Sequence, residues 1–374
     1  MPSPANVFRL GVKELWSLVR DPIMLVLVAY MFSAAIYIAA TAVPETLNNA
    51  AIAVVDEDAS QLSTRIVASF YPPHFRRPAR VVLAEVDPGM DSGRYAFSLD
   101  IPPGFQRDLV AGRSPSLQLN VDATLMSQAF SGSVYIEQIV NTEIADYLRR
   151  HQSSPAPPVD LVVRLRYNPN LDVMWFGSLM ELVNNVTMLS IVLCGAALIR
   201  EREHGTLEHL LVMPVTPAEI MLAKVWSMGL VVLLAALAGL VVVVQGALGV
   251  PVQGSLALFM GVVALHLFAT TSLGIFLATI ARSMPQFGML LILTLLPLQL
   301  LSGGATPRES MPRLVQDLML AAPTTHFVSA GQAVLFRGAG IREVWPQFVA
   351  IAAIGSVLFF AALIRFRKSI GATA

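Results

Sequence analysis

The sequence has little charge and almost no cysteine. Charged residues make up only 13% of the 374 residues, the formal net charge is zero, and the mean hydropathy is +0.65. Because the chain has no excess of positive charge, nucleic-acid binding is not expected. The single cysteine, Cys194, excludes a disulfide framework and a cysteine-based metal site. A hydrophobic content of 55% instead predicts several membrane spans.

The sequence also lacks the motifs of common self-contained enzymes. It contains no G-x-x-x-x-G-K-[ST] phosphate loop, no G-x-S-x-G nucleophile elbow and no H-E-x-x-H zinc motif. The acidic run Asp56 to Asp58 does not have the spacing of a calcium-binding loop, so a turn followed by a helix N-cap is favoured. We therefore predict that the chain binds no metal and no cofactor of its own.

Six apolar segments predict an α-helical polytopic membrane protein with six transmembrane helices. The first segment, Met24 to Val43, is 20 residues long, which is about 30 Å as a helix and enough to cross a bilayer. A cleaved signal peptide is the alternative, but the apolar core of a signal peptide is shorter. The later segments are Trp175 to Leu198, Met221 to Val244, Ser255 to Ile280, Phe287 to Leu301 and Trp345 to Leu363.

Basic residues near the segment ends predict the orientation of the spans. Positively charged short loops stay in the cytoplasm, and basic residues occur at alternate connections (Arg9, Lys13, Arg20; Arg200, Arg202, Lys224; Arg282; Arg365, Arg367, Lys368). Both termini are therefore predicted to be cytoplasmic. Residues 1–22 have the periodicity of a cytoplasmic amphipathic helix at the membrane surface, ended by Asp21 and Pro22. Residues 23–43 then form the first span.

Residues 44–172 are predicted to form a mixed α/β domain outside the cytoplasm, between the first and second spans. Apolar and polar residues alternate over Tyr95 to Ile101, Leu117 to Asp122 and Leu161 to Tyr167, the pattern of half-buried strands. Ala51 to Val55 predicts a further strand. Helical patterns occupy the stretch from Ser60, Phe105 to Ala111, and Ser127 to Arg150. Residues 173–374 carry the other five spans.

Two apolar stretches allow more than one interpretation. Leu314 to Phe336 is apolar enough for a seventh span, but Asp317, Pro323 and His326 interrupt it, which favours two short helices that do not cross the membrane. Glu181 lies near one end of the second span, one turn from Asn184 and Asn185. A charge inside a membrane tends to face a cavity or a partner, although the span can also begin just after Glu181.

The strongest local signal is a charged run, Arg200 to Leu211, that follows the second span directly. Its charges alternate, Gly205 permits a bend, and Thr216 with Glu219 forms a capping box that starts the next helix. The run is either a docking element on the cytoplasmic surface or a solvated loop that anchors the topology. The residues alone favour neither interpretation.

These features together resemble the ABC-2 type permeases, the membrane subunits of ATP-binding-cassette exporters. The resemblance covers essentially the whole chain and is greatest to the Gram-negative inner-membrane, drug-efflux-like subgroup with large periplasmic domains. It rests on the order of several motifs: the strand and acidic turn at Ala51 to Ser60, the charged run at Arg200 to Glu208, the stretch Leu211 to Ile220, and Ser302 to Pro312 followed by Pro323 and His326. It implies the ABC-2 (type V exporter-like) fold.

The resemblance also implies roles for particular residues. Residues 200–213 would form the coupling helix that contacts a separate ATPase, through Arg200, Glu201, Arg202, Glu203, Thr206 and Glu208. Residues 306–336 would form a re-entrant hairpin at the outer gate, whose candidate residues are Gly303, Gly304, Thr306, Pro307, Glu309 and His326. The candidates for the translocation pathway are Glu181, Asn184 and Asn185.

The implied function is that of the permease subunit of an exporter in the bacterial inner membrane. ATP and Mg²⁺ would bind to the partner ATPase, a second permease subunit would complete a homodimer or heterodimer, and a periplasmic membrane-fusion adaptor with an outer-membrane channel could join them. Membrane lipids surround the spans. The alternative is a membrane-anchored scaffold whose periplasmic domain recruits partners. An intramembrane enzyme is disfavoured because Glu181 and His266 lie on different spans with nothing to mark them as partners.

Overall fold

The computed structural model describes residues 3–41, 49–122, 126–151, 173–205, 215–304, 308 and 311–371. The chain divides into two compact units. The membrane unit consists of Met1–Ala42 and Arg166–Ala374, and the inserted unit is Val43–Leu165. The two units are described separately below.

Three helices open the membrane unit. Helix α1 (Pro4–Val19) ends before Asp21, whose side chain accepts a hydrogen bond from the Met24 backbone and so caps α2 (Pro22–Met31). After a short break, α3 (Ala34–Thr41) continues the apolar run. The structure therefore has the amphipathic helix and the Asp21 break that the sequence predicts.

Long apolar helices form the rest of the membrane unit. They are α8 (Val173–Glu203), α9 (Pro217–Ala238, continued as a π-helix over Gly239–Ala247), α10 (Leu256–Ile280), α11 (Met284–Leu300) and α14 (Ile341–Gly371). Among the described residues, five helical stretches have the length and composition to cross a membrane: Pro22–Thr41, Met174–Glu203, Pro217–Ala247, Leu256–Ile280 and Ile341–Lys368. Helix α11 is apolar but has only 17 residues, about 26 Å. A helical protein with several candidate spans is thus observed.

Two short helices lie between α11 and α14. Helix α12 (Arg313–Met319) and helix α13 (Pro323–Leu335) are separated by a turn before Pro323. Neither is long enough to span a bilayer at about 1.5 Å per residue. This stretch therefore has the two short helices expected from its interrupting polar and proline residues, and no seventh long helix.

Close helix packing places α8 at the centre of the membrane unit. Most of its side chains from Ser178 to Ile199 are buried. A Cβ atom at Gly274 of α10 would lie 2.6 Å from the carbonyl oxygen of Ile191, so only glycine permits this approach of α10 to α8. Helix α8 is therefore the helix around which much of the membrane unit packs.

The inserted unit contains a four-stranded mixed sheet. Its strands are β1 (Ile52–Asp56), β2 (Ala79–Arg80), β3 (Phe97–Ile101) and β4 (Gln118–Val121), in the order β2-β1-β3-β4. Strand β1 pairs in parallel with β2 and β3, and β3 pairs antiparallel with β4. Three of these strands were predicted. The two-residue β2 was not, and the predicted strand over residues 161–167 lies outside the described residues.

The described part of the inserted unit has its own hydrophobic core and also contains four α-helices. They are α4 (Gln61–Ala68), α5 (Val86–Asp91), α6 (Phe105–Val110) and α7 (Met126–His151). Asp56 accepts hydrogen bonds from the Ala59 backbone and from Ser63, and Ser60 caps α4. The acidic run is thus a turn and a helix start. Strand β3 differs from the prediction of a half-buried strand, because Ser98 is as fully buried as Phe97 and both faces are covered.

Candidate functional site

Four predicted coupling residues lie on the last turn of α8. The helix runs without interruption to Glu203, and Gly205, with φ of +68°, follows in the left-handed conformation that glycine adopts readily. Arg200 to Glu203 therefore continue the span helix, whereas the sequence placed them on a separate coupling helix over 200–213. Residues 206–214, including Thr206 and Glu208, lie outside the described residues.

Glu201 points into the membrane unit and joins a cluster of four charged side chains. Lys224 of α9 is 1% exposed, and its Nζ lies 2.8 Å from Glu201 Oε2 and 3.1 Å from Glu14 Oε2 of α1. Lys13 Nζ lies 3.2 Å from Glu201 Oε1 and 3.7 Å from Glu14 Oε1. With two acids and two bases the cluster has no net formal charge. It ties α1, α8 and α9 together at one point.

Burial of this cluster changes the electrostatics of α1. Burial raises the pKa of Glu14, while the attraction of Lys224 acts in the opposite direction. A buried charge is tolerated only when it is paired, and removing one member of such a pair leaves the other uncompensated. Removal of Lys224, the buried cation that Glu14 and Glu201 share, would therefore weaken the connection between all three helices.

Arg200 connects the end of α8 to the start of α2. Its guanidinium forms an ion pair with Asp21, the residue that caps α2. Desolvation acts to raise the pKa of Asp21, but hydrogen bonds from the Met24 backbone and from Arg200 hold it below its usual value. Arg200 thus fixes the position where α1 ends and α2 begins.

Arg202 and Glu203 connect α8 to the two neighbouring helices α10 and α11. Arg202 donates a 2.7 Å hydrogen bond to the carbonyl of Ala281, the residue that follows α10. Glu203 accepts a 2.8 Å hydrogen bond from the backbone of Met284, the first residue of α11. A cation at a helix C-terminus and an anion at a helix N-terminus both complement the helix dipole. The end of α8 is therefore linked to α1, α2, α9, α10 and α11.

The start of α9 is attached to α1 by a second set of contacts. Thr216 and Glu219 form the predicted capping box, which is confirmed, and Glu219 Oε1 also accepts hydrogen bonds from Ser3 N at 2.6 Å and Asn6 Nδ2 at 3.2 Å. Further along α9, Trp226 Nε1 donates to the carbonyl of Val7 at 3.1 Å. A single carboxylate thus caps one helix and holds the beginning of another.

Trp226 also explains a glycine in α1. Its indole ring stacks on Phe8 with centroids 5.8 Å apart, and a Cβ atom at Gly11 would overlap that indole ring. Helix α1 can therefore lie flat against α9 only with glycine at this position. Both ends of the 206–214 segment, the end of α8 and the start of α9, are consequently fixed to the same helix.

The three pathway candidates are in different environments. Asn185 is buried and donates a 2.7 Å hydrogen bond to the carbonyl of Met31, at the break between α2 and α3, and its side chain also neighbours the Glu181 carboxylate. Glu181 and Asn184 are partly exposed. Asn185 therefore provides a hydrogen-bond donor to the Met31 carbonyl at this break, so it has a structural role.

The outer-gate candidates that the structure describes do not all line the same pocket. Gly303 and Gly304 line a pocket with Arg308, Thr325 and Gln332, and the Gln332 amide donates to the Gly303 carbonyl at 3.4 Å. His326 is outside this lining and contacts the carbonyl of Leu320 at 3.0 Å. Thr306, Pro307 and Glu309 lie outside the described residues.

His266 has a different partner from the one that an intramembrane enzyme would need. Its Nε2 lies 2.9 Å from Thr187 Oγ1, and its ring stacks on Phe327 with centroids 4.0 Å apart. One turn on, Ser190 donates a 2.6 Å hydrogen bond to Thr270. These contacts join α8 to α10 and do not bring His266 to Glu181. Across the described ranges, no three His, Cys, Asp or Glu side chains are grouped to hold a metal ion.

Comparison with known proteins identifies the family. Residues 21–364 match the family described as ABC-2 family transporter protein. This chain belongs to the ABC-2 family of transporter proteins. It is 60% identical over 369 residues to the inner membrane transport permease YhhJ of Escherichia coli (strain K12), covering 99% of each chain. It is also 28% identical over 378 residues to the probable multidrug ABC transporter permease YbhR of the same strain, covering 96% of this chain and 97% of the relative.

The permease function is consistent with the helices described above. The chain is a permease subunit of an ABC transporter and a multi-pass membrane protein. In such a subunit the contacts at the end of α8 join the residues nearest to segment 206–214 to five other helices. We refer to this part of the membrane unit, Arg200 to Glu203 with the side chains and backbone groups that they contact, as the braced end.

Sequence reasoning missed the partners that make this braced end. Lys224 entered only as a topology marker, and Glu14 was not considered. A signal was present, because a lysine inside an apolar span needs a partner, and Lys224 lies about two turns after the start of α9. The identity of that partner depends on how α1 packs, which no local pattern in the permease sequence specifies.

Proposed function

We propose that the permease forms the translocation pathway of an exporter that is driven by a separate ATPase acting on segment 206–214. The observation that carries this proposal is the bracing of both ends of that segment. Arg200 to Glu203 connect one end to α1, α2, α9, α10 and α11, and Glu219 connects the other end to α1. A push on the segment would therefore move these helices as one body.

In this proposal the residues of the coupling region have two roles. Thr206 and Glu208 contact the ATPase, and Arg200, Glu201, Arg202 and Glu203 are positioning residues that pass its movement on. Glu201 supports this division, since its side chain is directed to Lys224 and Lys13. Closure of two ATPase subunits would then switch the helices between discrete packings, as rigid bodies. ATP and Mg²⁺ bind to the ATPase, and the permease itself is not catalytic.

The proposed topology has six spans, with α11 as the shortest. The braced end faces the cytoplasm together with α1, and the inserted α/β unit is periplasmic, in the inner membrane of a bacterium. The basic residues at the braced end support this orientation. The exposed apolar side chains of α11, such as Met289 and Leu293 at 73% and 72% exposure, support contact with lipid or a second subunit.

The remaining partners follow from the same proposal. Two permease subunits, alike or different, enclose the pathway between them, with Glu181, Asn184 and Asn185 near its wall. Residues 306–336 form the re-entrant hairpin, and Gly303, Gly304, Thr306, Pro307, Glu309 and His326 lie at the outer gate. The periplasmic unit can dock a membrane-fusion adaptor that leads to an outer-membrane channel.

The experiment is a charge reversal in the segment that meets the ATPase. Glu208→Arg should reduce stimulation of ATP hydrolysis in the reconstituted complex at least about tenfold, about 1.4 kcal/mol of coupling, while the thermal midpoint of the purified permease stays the same. Glu343→Arg is the matched control, because Glu343 is an exposed glutamate on the first turn of another helix, α14.

Two results would contradict the proposal. Equal stimulation of ATP hydrolysis by the Glu208→Arg variant and the parent protein would show that segment 206–214 has no coupling role. Failure of any ABC ATPase to co-purify with the permease would favour the membrane-anchored scaffold, whose periplasmic unit would then carry the function.

A further inference from the structure

A pocket in the inserted unit has a chemistry that the coupling mechanism does not use. It lies between the C-terminal end of α4 with the following loop on one side and α7 on the other. Its lining is unusually aromatic: Tyr71, His74, Phe75 and Tyr135 are four of its nine lining residues. Small-molecule sites combine such apolar rings with a few placed polar groups.

The aromatic side chains of the pocket range from fully buried to exposed. Phe75 is fully buried and packs edge-to-face on Phe70, with ring centroids 5.2 Å apart. His74 and Tyr135 stack on each other at 4.7 Å, with their planes 24° apart. Tyr71 is 65% exposed, so its ring offers a face to a ligand without being needed for the core.

The polar part of the pocket lies on one face of α7. Gln138 and Thr142 are one turn apart on this helix, and both are exposed. The Gln138 amide can donate and accept hydrogen bonds, whereas the Thr142 hydroxyl already donates to the Gln138 carbonyl at 2.7 Å and can accept one from a ligand. They can therefore orient a flat ligand that carries complementary groups at its edge.

The carboxylate of the pocket is already neutralised. Glu143 Oε2 accepts hydrogen bonds from Arg65 Nε at 3.1 Å and Nη2 at 2.9 Å, and Glu143 Oε1 accepts one from Ser69 at 2.9 Å. Arg65 thus donates two hydrogen bonds to one oxygen of the carboxylate, and the two formal charges offset each other. The carboxylate in the lining is therefore already paired, and a cationic ligand finds no free counter-ion there.

We propose that this pocket binds an uncharged, planar aromatic compound that carries hydrogen-bonding groups, and that such compounds are a substrate class of the exporter. Export of these compounds rests on the proposed function, whereas their binding to the pocket does not. Stacking on the rings favours aromatic ligands over aliphatic ones, and the pairing of Glu143 with Arg65 leaves a charged ligand without a free counter-ion.

The test measures binding to the full-length permease in lipid nanodiscs without any ATPase. The probe is acridone, a neutral, flat, fluorescent compound with one N–H donor and one carbonyl acceptor, and empty nanodiscs correct for its partition into lipid. We expect saturable binding that Tyr71→Ala weakens about fivefold, the size of one lost aromatic contact. Tyr71→Phe should stay within about twofold of the parent protein because the ring remains.

Two further variants separate the pocket from other sites. Thr142→Val should weaken binding about threefold by removing one hydrogen bond. Tyr37→Ala, which removes a 49% exposed tyrosine from α3 of the membrane unit, should leave binding unchanged. Both mutated pocket side chains are exposed, so neither change disturbs the core of the inserted unit.

Several outcomes would overturn the inference. These are the absence of saturable binding, equal affinity of the Tyr71→Ala and Thr142→Val variants and the parent protein, at least tenfold tighter binding of a cationic acridine, or displacement of acridone by a neutral disaccharide, which would indicate a carbohydrate site. Failure of ATPase stimulation would leave these binding results unaffected, so a failure of the proposed function and a failure of this inference can be told apart.

Discussion

The two ends of α8 are held in place by different interactions. At the Glu203 end, charged side chains reach other helices through ion pairs and charged hydrogen bonds, with Lys224 at the centre. At the other end the contacts are mostly apolar, such as the stacking of Phe176 on Phe336 with centroids 5.6 Å apart, and the hydrogen bonds to other helices, such as that from Asn185, are neutral.

In the proposed function α8 transmits movement, and this difference then decides how each end responds. Around Lys224 the ion pairs hold their partners in one geometry, because a buried charge without its partner is costly. Apolar surfaces can slide and repack with a smaller change in energy, and packed interfaces tend to have a few discrete arrangements. We therefore expect the Glu203 end to move as a block and the other end to be where neighbouring helices rearrange.

Lys224→Met should have the largest effect on stability. The change leaves Glu14 and Glu201 buried without their shared cation, and breaking a buried ion pair in this way costs about 3–5 kcal/mol. The measurement is thermal unfolding of the purified permease in detergent. Lys13→Met is the matched control, because the Lys13 side chain is 50% exposed and a surface pair contributes about 0–1 kcal/mol. Equal losses for both lysines would contradict a special role for Lys224.

A triple variant separates the stability of this cluster from its role in coupling. Replacing a whole buried ion cluster by uncharged residues can restore stability, so Glu14→Gln, Glu201→Gln and Lys224→Met together should unfold closer to the parent protein than Lys224→Met alone. If the charges also hold the helices in one geometry for coupling, the triple variant should still show reduced ATPase stimulation. Full stimulation would show that packing alone braces this end.

The sequence predicted local features of the fold well and distant contacts poorly. The break at Asp21, the capping box of Thr216 and Glu219, and the turn at Asp56 depend on neighbouring residues, and all are present. The inward direction of Glu201 was not predicted, because an alternating run of charges has the same pattern whether it faces water or a buried lysine. Its partners are brought close only when α1 packs on α9.

Asn185→Leu should have a smaller effect, at the other end of α8. It removes the 2.7 Å hydrogen bond to the Met31 carbonyl, and hydrogen bonds between membrane helices contribute about 0.6–2 kcal/mol. Thermal unfolding in detergent measures the loss, with Asn184→Leu as the control, since Asn184 makes no hydrogen bond to another side chain or helix among the contacts of the described residues. A loss as large as that of Lys224→Met would remove the difference between the two ends.

Glu181→Gln should have the smallest effect on stability, within about 0.5 kcal/mol. The carboxylate is only partly buried and its hydrogen-bonding neighbour is Asn185, which a glutamine can also contact. Measurements of the unfolding temperature and of the export rate then distinguish a structural role of Glu181 from a role in the pathway. An unchanged unfolding temperature with an altered rate of substrate export would place Glu181 on the pathway. A fall in unfolding temperature comparable to that of Asn185→Leu would instead show that Glu181 helps to hold this end of α8. Polar interactions would then stabilise this end more than its mostly apolar contacts indicate.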